Sequence, residues 1–141
     1  KDELYWAEKG MGAWMNETRL RVSGRRSMIE AIFGTGIPFG GRSTLPASLQ
    51  DLARLMPVCA GVRRWGAASL DLAYVASGRL DGYWERGLQP WDMAAGIVLV
   101  REAGGFVGAL REGRDMLESG SIIAGNGELY QPLCKILREA A

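Results

Sequence analysis

The clearest candidate for chemistry is Asp92, which follows Pro90 at the start of an apolar stretch that runs to Val100. Proline suits the first turn of a helix, because its missing N–H would have no partner there. The helix dipole favours a negative charge in the same turn, and Gly104 and Gly105 supply a C-terminal stop. The pattern predicts a helix buried on nearly every side, with a carboxylate at its start that serves either as a cap or as a ligand.

The absence of histidine limits the hydrolytic chemistry that is available. It excludes Ser-His-Asp and Cys-His nucleophile activation, and it excludes histidine-based zinc sites. Cys59 does not begin a Cys-x5-Arg phosphatase loop, because position 65 holds Trp65, and Cys59 and Cys134 are too few for a disulfide framework. Carboxylates that hold hard cations such as Mg²⁺ remain as the means of hydrolysis.

The composition is that of a single globular domain. The chain has 141 residues, of which 48% are hydrophobic, and 17 basic and 16 acidic residues leave a net charge of +1. This balance gives no argument for binding to nucleic acid or to a membrane surface. No apolar run is long enough to span a bilayer. We therefore expect a cytoplasmic protein with no membrane association and with two free thiols.

Strands and helices alternate along most of the sequence. Strands are predicted at 3–8, 13–15, 20–22, 28–33, 58–64, 80–85, 106–110 and 121–124, and helices at 44–56, 66–77, 90–103 and 128–139. Ser43 or Thr44 is the expected cap of the first helix. The loop that ends in Arg42 is not a phosphate-binding P-loop, because it lacks the required lysine and Pro38 removes an amide donor. The order predicts a layered α/β domain, whose sheet is mixed because of the opening hairpin.

Two blocks of the sequence resemble the inositol monophosphatase family, which comprises magnesium-dependent, lithium-sensitive phosphomonoesterases. One block is Pro90-Trp91-Asp92-x-Ala94-Ala95-Gly96, followed by Glu102-Ala103-Gly104-Gly105, and the other runs from Arg63 to Glu85 and is similar to bacterial members. The resemblance implies an α/β/α sandwich with a mixed sheet. Such a sandwich would be the C-terminal domain of the inositol monophosphatase and fructose-1,6-bisphosphatase-like fold.

The resemblance also implies roles for individual residues. Asp92 would coordinate an active-site Mg²⁺ ion, and Glu85 would accept hydrogen bonds from inositol hydroxyl groups. The backbone from Gly66 through Ala67 to Ala68 would line the substrate pocket, with Arg63 beside it. Each role has a structural alternative. Glu85 could be a solvated strand end that pairs with Arg86, the small residues 66–68 could serve close helix–sheet packing, and Arg63 could be a solvated arginine. Asp71 and Asp81 are expected to be structural, on a helix surface and in a turn.

Other motifs of the family have no counterpart in this sequence, namely a metal-binding glutamate and an Asp-Pro-x-Asp-Gly-Thr stretch. We therefore expect residues 1–141 to form the C-terminal domain of a longer phosphatase. The N-terminal domain, which would supply most of the metal ligands and the phosphate cradle, is then missing. Apart from the metal ligand Asp92 the fragment would contain no catalytic residue, and alone it would be inactive.

The function implied by the resemblance is hydrolysis of myo-inositol 1-phosphate to inositol and phosphate in the intact protein. Relatives within the family act on histidinol phosphate, fructose bisphosphate or 3′-phosphoadenosine phosphates, and these substrates remain alternatives. Some bacterial members also bind the transcription machinery, including RNA polymerase, as antitermination factors. Family members are usually homodimers. An isolated structural or interaction module is the remaining alternative.

Overall fold

The computed structural model describes residues 1–138. Its strands are β1 (Tyr5–Glu8), β2 (Gly12–Met15), β3 (Thr18–Arg19), β4 (Ile32–Thr35), β5 (Gly61–Arg63), β6 (Gly82–Arg86), β7 (Phe106–Gly108) and β8 (Ser121–Gly125). Its α-helices are α1 (Leu45–Leu55), α2 (Ala68–Ala76), α3 (Pro90–Glu102), α4 (Met116–Ser119) and α5 (Tyr130–Arg138). The alternation of strands and helices confirms the predicted α/β class.

The main sheet has five strands in the order β5-β4-β6-β8-β7. Strand β4 pairs in parallel with β5 and β6, whereas β8 runs antiparallel to both β6 and β7. The sheet is therefore mixed, as predicted, but the opening hairpin is not the cause. Strands β1, β2 and β3 form a separate antiparallel sheet, and the antiparallel pairs of the main sheet come from β8.

Side chains that alternate along β6 divide the core between the two faces of the sheet. Tyr83 is fully buried among side chains of α2 and α3, and its neighbour Trp84 is buried among side chains of α1 and α5 on the other face. This alternation is the normal consequence of strand geometry. Helices thus cover both faces, which gives the predicted α/β/α layers, and β1 and β2 pack on the outer side of α3.

Helices α2 and α3 cross closely at Gly96. A Cβ atom on Gly96 would overlap the side chain of Leu72 in α2, with only 2.5 Å to the Leu72 Cβ atom. The prediction that α3 is buried on nearly every side is wrong for its first turns. Trp91 is 77% exposed, and Ala94 and Ala95 are also exposed. These exposed residues are apolar, but only the opposite side of the helix packs against α2 and the sheet.

Several predicted boundaries differ from the observed ones. Residues 28–30 form a short 3-10 helix, closed by a 3.0 Å bond from the Ala31 N–H to the Met28 carbonyl oxygen, so the predicted strand at 28–33 begins only at Ile32. Thr44 takes the cap position of α1 without a side-chain hydrogen bond. The short helix α4 was not predicted, and its cap is Asp115, which accepts bonds from the Leu117 and Glu118 amides. Residue 139, the predicted end of the last helix, lies outside the described residues.

We find no helix within residues 1–138 with the length and apolar character that crossing a membrane requires.

Gly96→Ala tests whether the close crossing of α2 and α3 sets the position of both helices. We expect the substitution to destabilise the protein by about 1–2 kcal/mol, because overpacking against Leu72 outweighs the better helix propensity of alanine. Urea unfolding of the natural protein that carries this chain measures the effect. Gly24→Ala is the matched control, since a Cβ atom there meets nothing within 4 Å. A Gly96→Ala protein as stable as the wild type would contradict the tight crossing.

Candidate active site

Two of the predicted site residues, Glu85 and Asp92, lie on the face of the main sheet that α2 and α3 cover, and Asp71 lies there too. Glu85 lies near the end of β6, and Asp92 lies in the first turn of α3. Asp71 comes from the first turn of α2 and faces β4, so that its Oδ1 atom is 3.3 Å from the position that a Cβ atom on Gly34 would take. The site therefore combines side chains from two helices with the ends of two parallel strands.

Tyr83 and Glu85 form a hydrogen-bonded pair on this face. They are two residues apart in β6, so they point to the same side of the sheet, and the Tyr83 hydroxyl donates to Glu85 Oε2. Burial raises the pKa of Tyr83 well above its ordinary value, and the charges of Glu85, Asp71 and Asp92 raise it further. The phenol therefore stays protonated and remains a donor to the glutamate.

Glu85 is half-buried, and its environment acts on its charge in both directions. Burial and the charge of Asp92 raise the pKa of the carboxyl group. The hydrogen bond from Tyr83 and the nearby Arg64 and Arg42 guanidinium groups lower it. Its carboxyl group fills the space that a Cβ atom on Gly36 would occupy. Glycine at this position is therefore a requirement for placing Glu85 against the sheet.

The alternative interpretation, in which Glu85 is a solvated strand end that pairs with Arg86, is wrong. Arg86 points to the opposite face of the sheet, where its Nε and Nη2 atoms donate to the two carboxylate oxygens of Asp51 at 2.8 and 2.9 Å. Asp51 lies in α1 and is fully buried. The strand alternation thus separates Arg86 from Glu85, and Glu85 has Tyr83 as its hydrogen-bonding partner.

Asp92 is the third helical residue of α3 and caps the helix. Its Oδ2 atom accepts a 2.9 Å hydrogen bond from the backbone N–H of Gln89 in a capping box. A carboxylate has a second oxygen, so the cap leaves Oδ1 to act as a ligand. The two interpretations of Asp92 are compatible, and its side chain is half-buried at the mouth of the helix.

A magnesium ion fits the donor chemistry of Asp92 but needs more ligands than Asp92 supplies. Mg²⁺ prefers about six oxygen ligands in octahedral geometry. Within residues 1–138, no group of three or more acidic or cysteine side chains is placed to hold a metal ion. Asp92 can therefore be one ligand of such an ion, and the remaining oxygens must come from the substrate, from water or from residues beyond those described.

The backbone from Gly66 to Ala68 leads into α2. Gly66 has a φ angle of +86°, which favours glycine, and Ala67 is the cap residue of α2. Alanine has no side-chain acceptor, so the amides of the first turn are left for another partner. This geometry is compatible with the predicted pocket lining. Close packing on the sheet does not explain Gly66 and Ala67, which are exposed, whereas Ala68 is half-buried and packs against the core.

Arg64 rather than Arg63 is the arginine closest to the site carboxyl groups. Arg63 is exposed and donates to the carbonyl oxygen of its neighbour Val62. Arg64 lowers the pKa of both Glu85 and Asp71, and its guanidinium group lies over the ring of Phe39, 5.0 Å from the centroid. A role for Arg63 toward substrate stays a prediction.

Asp71 differs most from its expected role. It is only 1% exposed, so it does not lie on a helix surface. Neither of its carboxyl oxygens accepts a hydrogen bond from any residue between 1 and 138. Burial, together with the charge of Glu85, raises its pKa to about 7. By contrast, the buried Asp81 is structural as predicted, because it accepts bonds from Ser23, Arg25 and Ile32.

The sequence carried signals for the site residues that prediction missed. Asp71 shares a helix face with Ala68, Leu72 and Val75, at spacings of three and four residues, and this is the face that packs on the sheet. Tyr83 is two residues before Glu85 in a strand, which places both on one side. No local pattern indicates Arg64 over Arg63, because the choice depends on how the loop before α2 turns.

Comparison with known proteins connects this site to a family. The sequence profile of the inositol monophosphatase family matches residues 1–141. An inositol-1-monophosphatase from Mesorhizobium japonicum is 50% identical over 138 residues, which are 98% of this chain and 52% of that protein. The Nus factor SuhB of Pseudomonas aeruginosa is 49% identical and aligns with 94% of this chain and 50% of its own length. The chain thus spans about half the length of the relatives it matches.

Solved structures give the same relationship. The crystal structure of the extragenic suppressor protein suhB from Bartonella henselae superposes with a TM-score of 0.93 at 46% sequence identity, and the match covers 99% of this chain and 54% of that one. The profile, the identity and the superposition extend over nearly all of the sequence that contains Asp92, Glu85 and Asp71. The chain therefore belongs to the inositol monophosphatase family.

Proposed function

We propose that the intact protein is a Mg²⁺-dependent phosphomonoesterase that hydrolyses inositol monophosphate, with myo-inositol 1-phosphate as the substrate. The observation that carries this proposal is the Tyr83–Glu85 pair beside Asp92. It provides a carboxylate that is held in place for hydroxyl groups, close to a second carboxylate suited to a hard cation. The family supports a phosphatase, and the name of the Mesorhizobium japonicum relative supports this substrate.

Each residue of the site has a defined task in this proposal. Glu85 accepts hydrogen bonds from adjacent hydroxyl groups of the polyol, which a carboxylate with two oxygens can do simultaneously. Tyr83 orients Glu85 through its hydroxyl group. The amides that begin α2, after Gly66 and Ala67, approach the substrate, and a contact of the exposed Arg63 with the substrate stays a prediction.

Asp92 contributes one ligand for Mg²⁺, while its other oxygen keeps the helix cap. When bound, the ion would polarise the phosphate and lower the pKa of a coordinated water molecule. The residues of this chain then hold the alcohol part of the ester, orient it through Glu85 and keep a carboxylate at the cation. The rest of the metal and phosphate machinery must come from the half of the protein that the relatives possess beyond this region.

Asp92→Asn separates the ligand role of this residue from its cap role. The amide oxygen of asparagine can still accept the Gln89 N–H, but the negative charge that a cation requires is lost. We expect phosphate release from myo-inositol 1-phosphate to fall by about 100-fold or more, and the free energy of unfolding to change by less than about 1 kcal/mol. The assay uses the longest natural polypeptide that contains this chain.

Asp115→Asn is the matched control for the Asp92 test, because Asp115 caps α4 and takes no part in the site. We expect it to leave phosphate release at the wild-type level. If Asp92→Asn keeps full Mg²⁺-dependent activity, Asp92 is a cap only and the proposed metal role is wrong. If the wild type releases no phosphate from myo-inositol 1-phosphate, either the substrate is another phosphomonoester, such as histidinol phosphate, fructose bisphosphate or a 3′-phosphoadenosine phosphate, or the protein acts as a partner of RNA polymerase.

Glu85→Gln tests recognition of the polyol. A neutral amide is a weaker acceptor than a carboxylate, so we expect the KM for myo-inositol 1-phosphate to rise by about 10-fold or more. The KM for phenyl phosphate, which has no hydroxyl groups for Glu85 to bind, should change by less than about twofold. Steady-state kinetics with both substrates measure the difference. An equal loss with both substrates would show that Glu85 does not recognise the alcohol part.

The separate chain of residues 1–141 should be inactive. One carboxylate cannot hold an ion that prefers about six oxygen ligands, so we expect only weak Mg²⁺ binding by calorimetry and no phosphate release. Phosphatase activity of the purified fragment that survives Asp92→Asn would contradict this expectation.

A second candidate function is supported by the relatives named Nus factor SuhB, one of which is 49% identical to this chain. In this proposal the protein binds RNA polymerase or its antitermination complex. Affinity capture of purified RNA polymerase by the full-length protein tests it. Capture that is retained in Asp92→Asn would show a role independent of hydrolysis, whereas no capture would leave the phosphatase as the sole candidate.

A further inference from the structure

The buried carboxyl group of Asp71 is the feature of the site to which the proposed chemistry gives no task. It is 1% exposed, and both of its oxygens lack a hydrogen-bond donor among residues 1–138. A buried polar group without a partner is costly, and a buried charge without a partner is more costly still. Asp71 is therefore either a neutral acid or a source of strain in the site.

Asp71 and Glu85 form a pair of neighbouring carboxyl groups, and the groups packed around Asp71 determine which of the two carries the negative charge. Strand β4 offers Gly34, which has no titratable group, and β6 offers Tyr83 and Glu85. Before α2, Arg64 acts on both carboxyl groups, and from outside the pair Asp92 in α3 and Arg42 act on Glu85.

Hydrogen bonding distinguishes the two carboxyl groups of the pair. The Tyr83 hydroxyl donates to Glu85, and a hydrogen bond to the ionised form favours that form. Asp71 receives no such bond, and the charge on Glu85 opposes a second charge beside it. Of the two carboxyl groups, Asp71 is therefore the one that holds a proton.

We propose that Asp71 is a positioning residue whose buried carboxylic acid keeps the negative charge of the pair on Glu85, so that Glu85 accepts substrate hydroxyl groups. The proposal rests on the proposed function in that it assigns Asp71 a task in binding the alcohol part of the ester. Asp71 does not touch the substrate in this arrangement, because its side chain is sealed between α2 and the sheet.

The proposal gives the site a pH dependence with a definite sign. The pKa of Asp71 is raised from 3.8 to about 7, so Asp71 is protonated below neutral pH and becomes ionised as the pH rises above about 7. A second negative charge then lies next to Glu85 and close to an anionic substrate. Binding of the phosphate ester should therefore weaken with rising pH, and this loss should depend on the Asp71 carboxyl group.

The first measurement is the KM for myo-inositol 1-phosphate between about pH 6 and pH 8.5, made on the full-length protein. We expect the wild-type KM to rise about fivefold across this interval, as the second charge develops. Asp71→Asn mimics the protonated acid at every pH, while ionisation of the phosphate ester affects both proteins equally. The KM at about pH 8.5 divided by the KM at about pH 6 should therefore be about fivefold smaller in that variant than in the wild type. A variant that keeps the wild-type ratio would overturn the proposal.

Asp81→Asn is the matched control, because Asp81 is also a buried aspartate of this domain but makes three hydrogen bonds outside the site. We expect it to lower stability and to retain the wild-type pH profile of KM. If Asp81→Asn does not fold, the exposed cap variant Asp115→Asn takes its place. A flattened profile in the control would show that general destabilisation, and not Asp71, sets the pH dependence.

A second measurement does not require activity. Carbon-13 NMR of the side-chain carboxyl groups, in the full-length protein, reports the protonation of Asp71 directly. We expect Asp71 to be protonated at about pH 6, and its titration to move to lower pH in Glu85→Gln, because the neighbouring charge is removed. An Asp71 that is already ionised at about pH 5 would overturn the proposal. Absence of phosphate release by the wild type would refute the proposed function, while this titration would still decide the protonation of Asp71.

Discussion

The space left by glycine in β4 and immediately after it is the constraint on which the site depends. A Cβ atom at Gly34 would press on Leu80 Cδ1 at 2.8 Å and approach Asp71, and one at Gly36 would overlap the carboxyl group of Glu85. Two carboxyl groups, one from a helix and one from a strand, therefore lie against the same face of the sheet because the neighbouring strand has no side chains there. A single methyl group at Gly36 would displace Glu85 from its partner Tyr83.

The same strand geometry that assembles the site also isolates it. Along β6, Tyr83 and Glu85 face α2 and α3, whereas Trp84 and Arg86 face α1 and α5. Arg86 satisfies the buried Asp51 on that far side, so this ion pair of β6 does not neutralise Glu85. The segregation matters for the proposed chemistry, because a glutamate that is already paired with an arginine would have little capacity to accept hydroxyl groups.

How much of this arrangement was predictable depends on whether the signal was local. The helix that starts at Pro90 with Asp92 in its first turn follows from cap and dipole preferences, and α3 begins there. The α/β class and the opening meander follow from periodicity in the same way. The direction of β8 does not, because strand pairing is a non-local choice, and this is why the mixed sheet was predicted for the wrong reason. Asp71 was misjudged because its type suggests a surface residue, although its position in the helix places it on the buried face.

The roles of Asp92 and Arg64 could not be decided from sequence for different physical reasons. For Asp92, a helix cap and a metal ligand both require a carboxylate in the same turn, so the sequence cannot distinguish the two roles. The number of free carboxylate oxygens decides whether both roles are possible, and the capping box engages only one of the two oxygens. For Arg64, the choice over Arg63 depends on Gly66, whose positive φ turns the chain and lets the Arg64 guanidinium lie beside it, 2.5 Å from where a Cβ atom would be. The resulting site has carboxyl groups on its floor and Arg64 at its edge. A neutral acid at Asp71 would reduce the repulsion that such a floor exerts on an anionic ester, which is why the protonation of one buried residue bears on substrate binding.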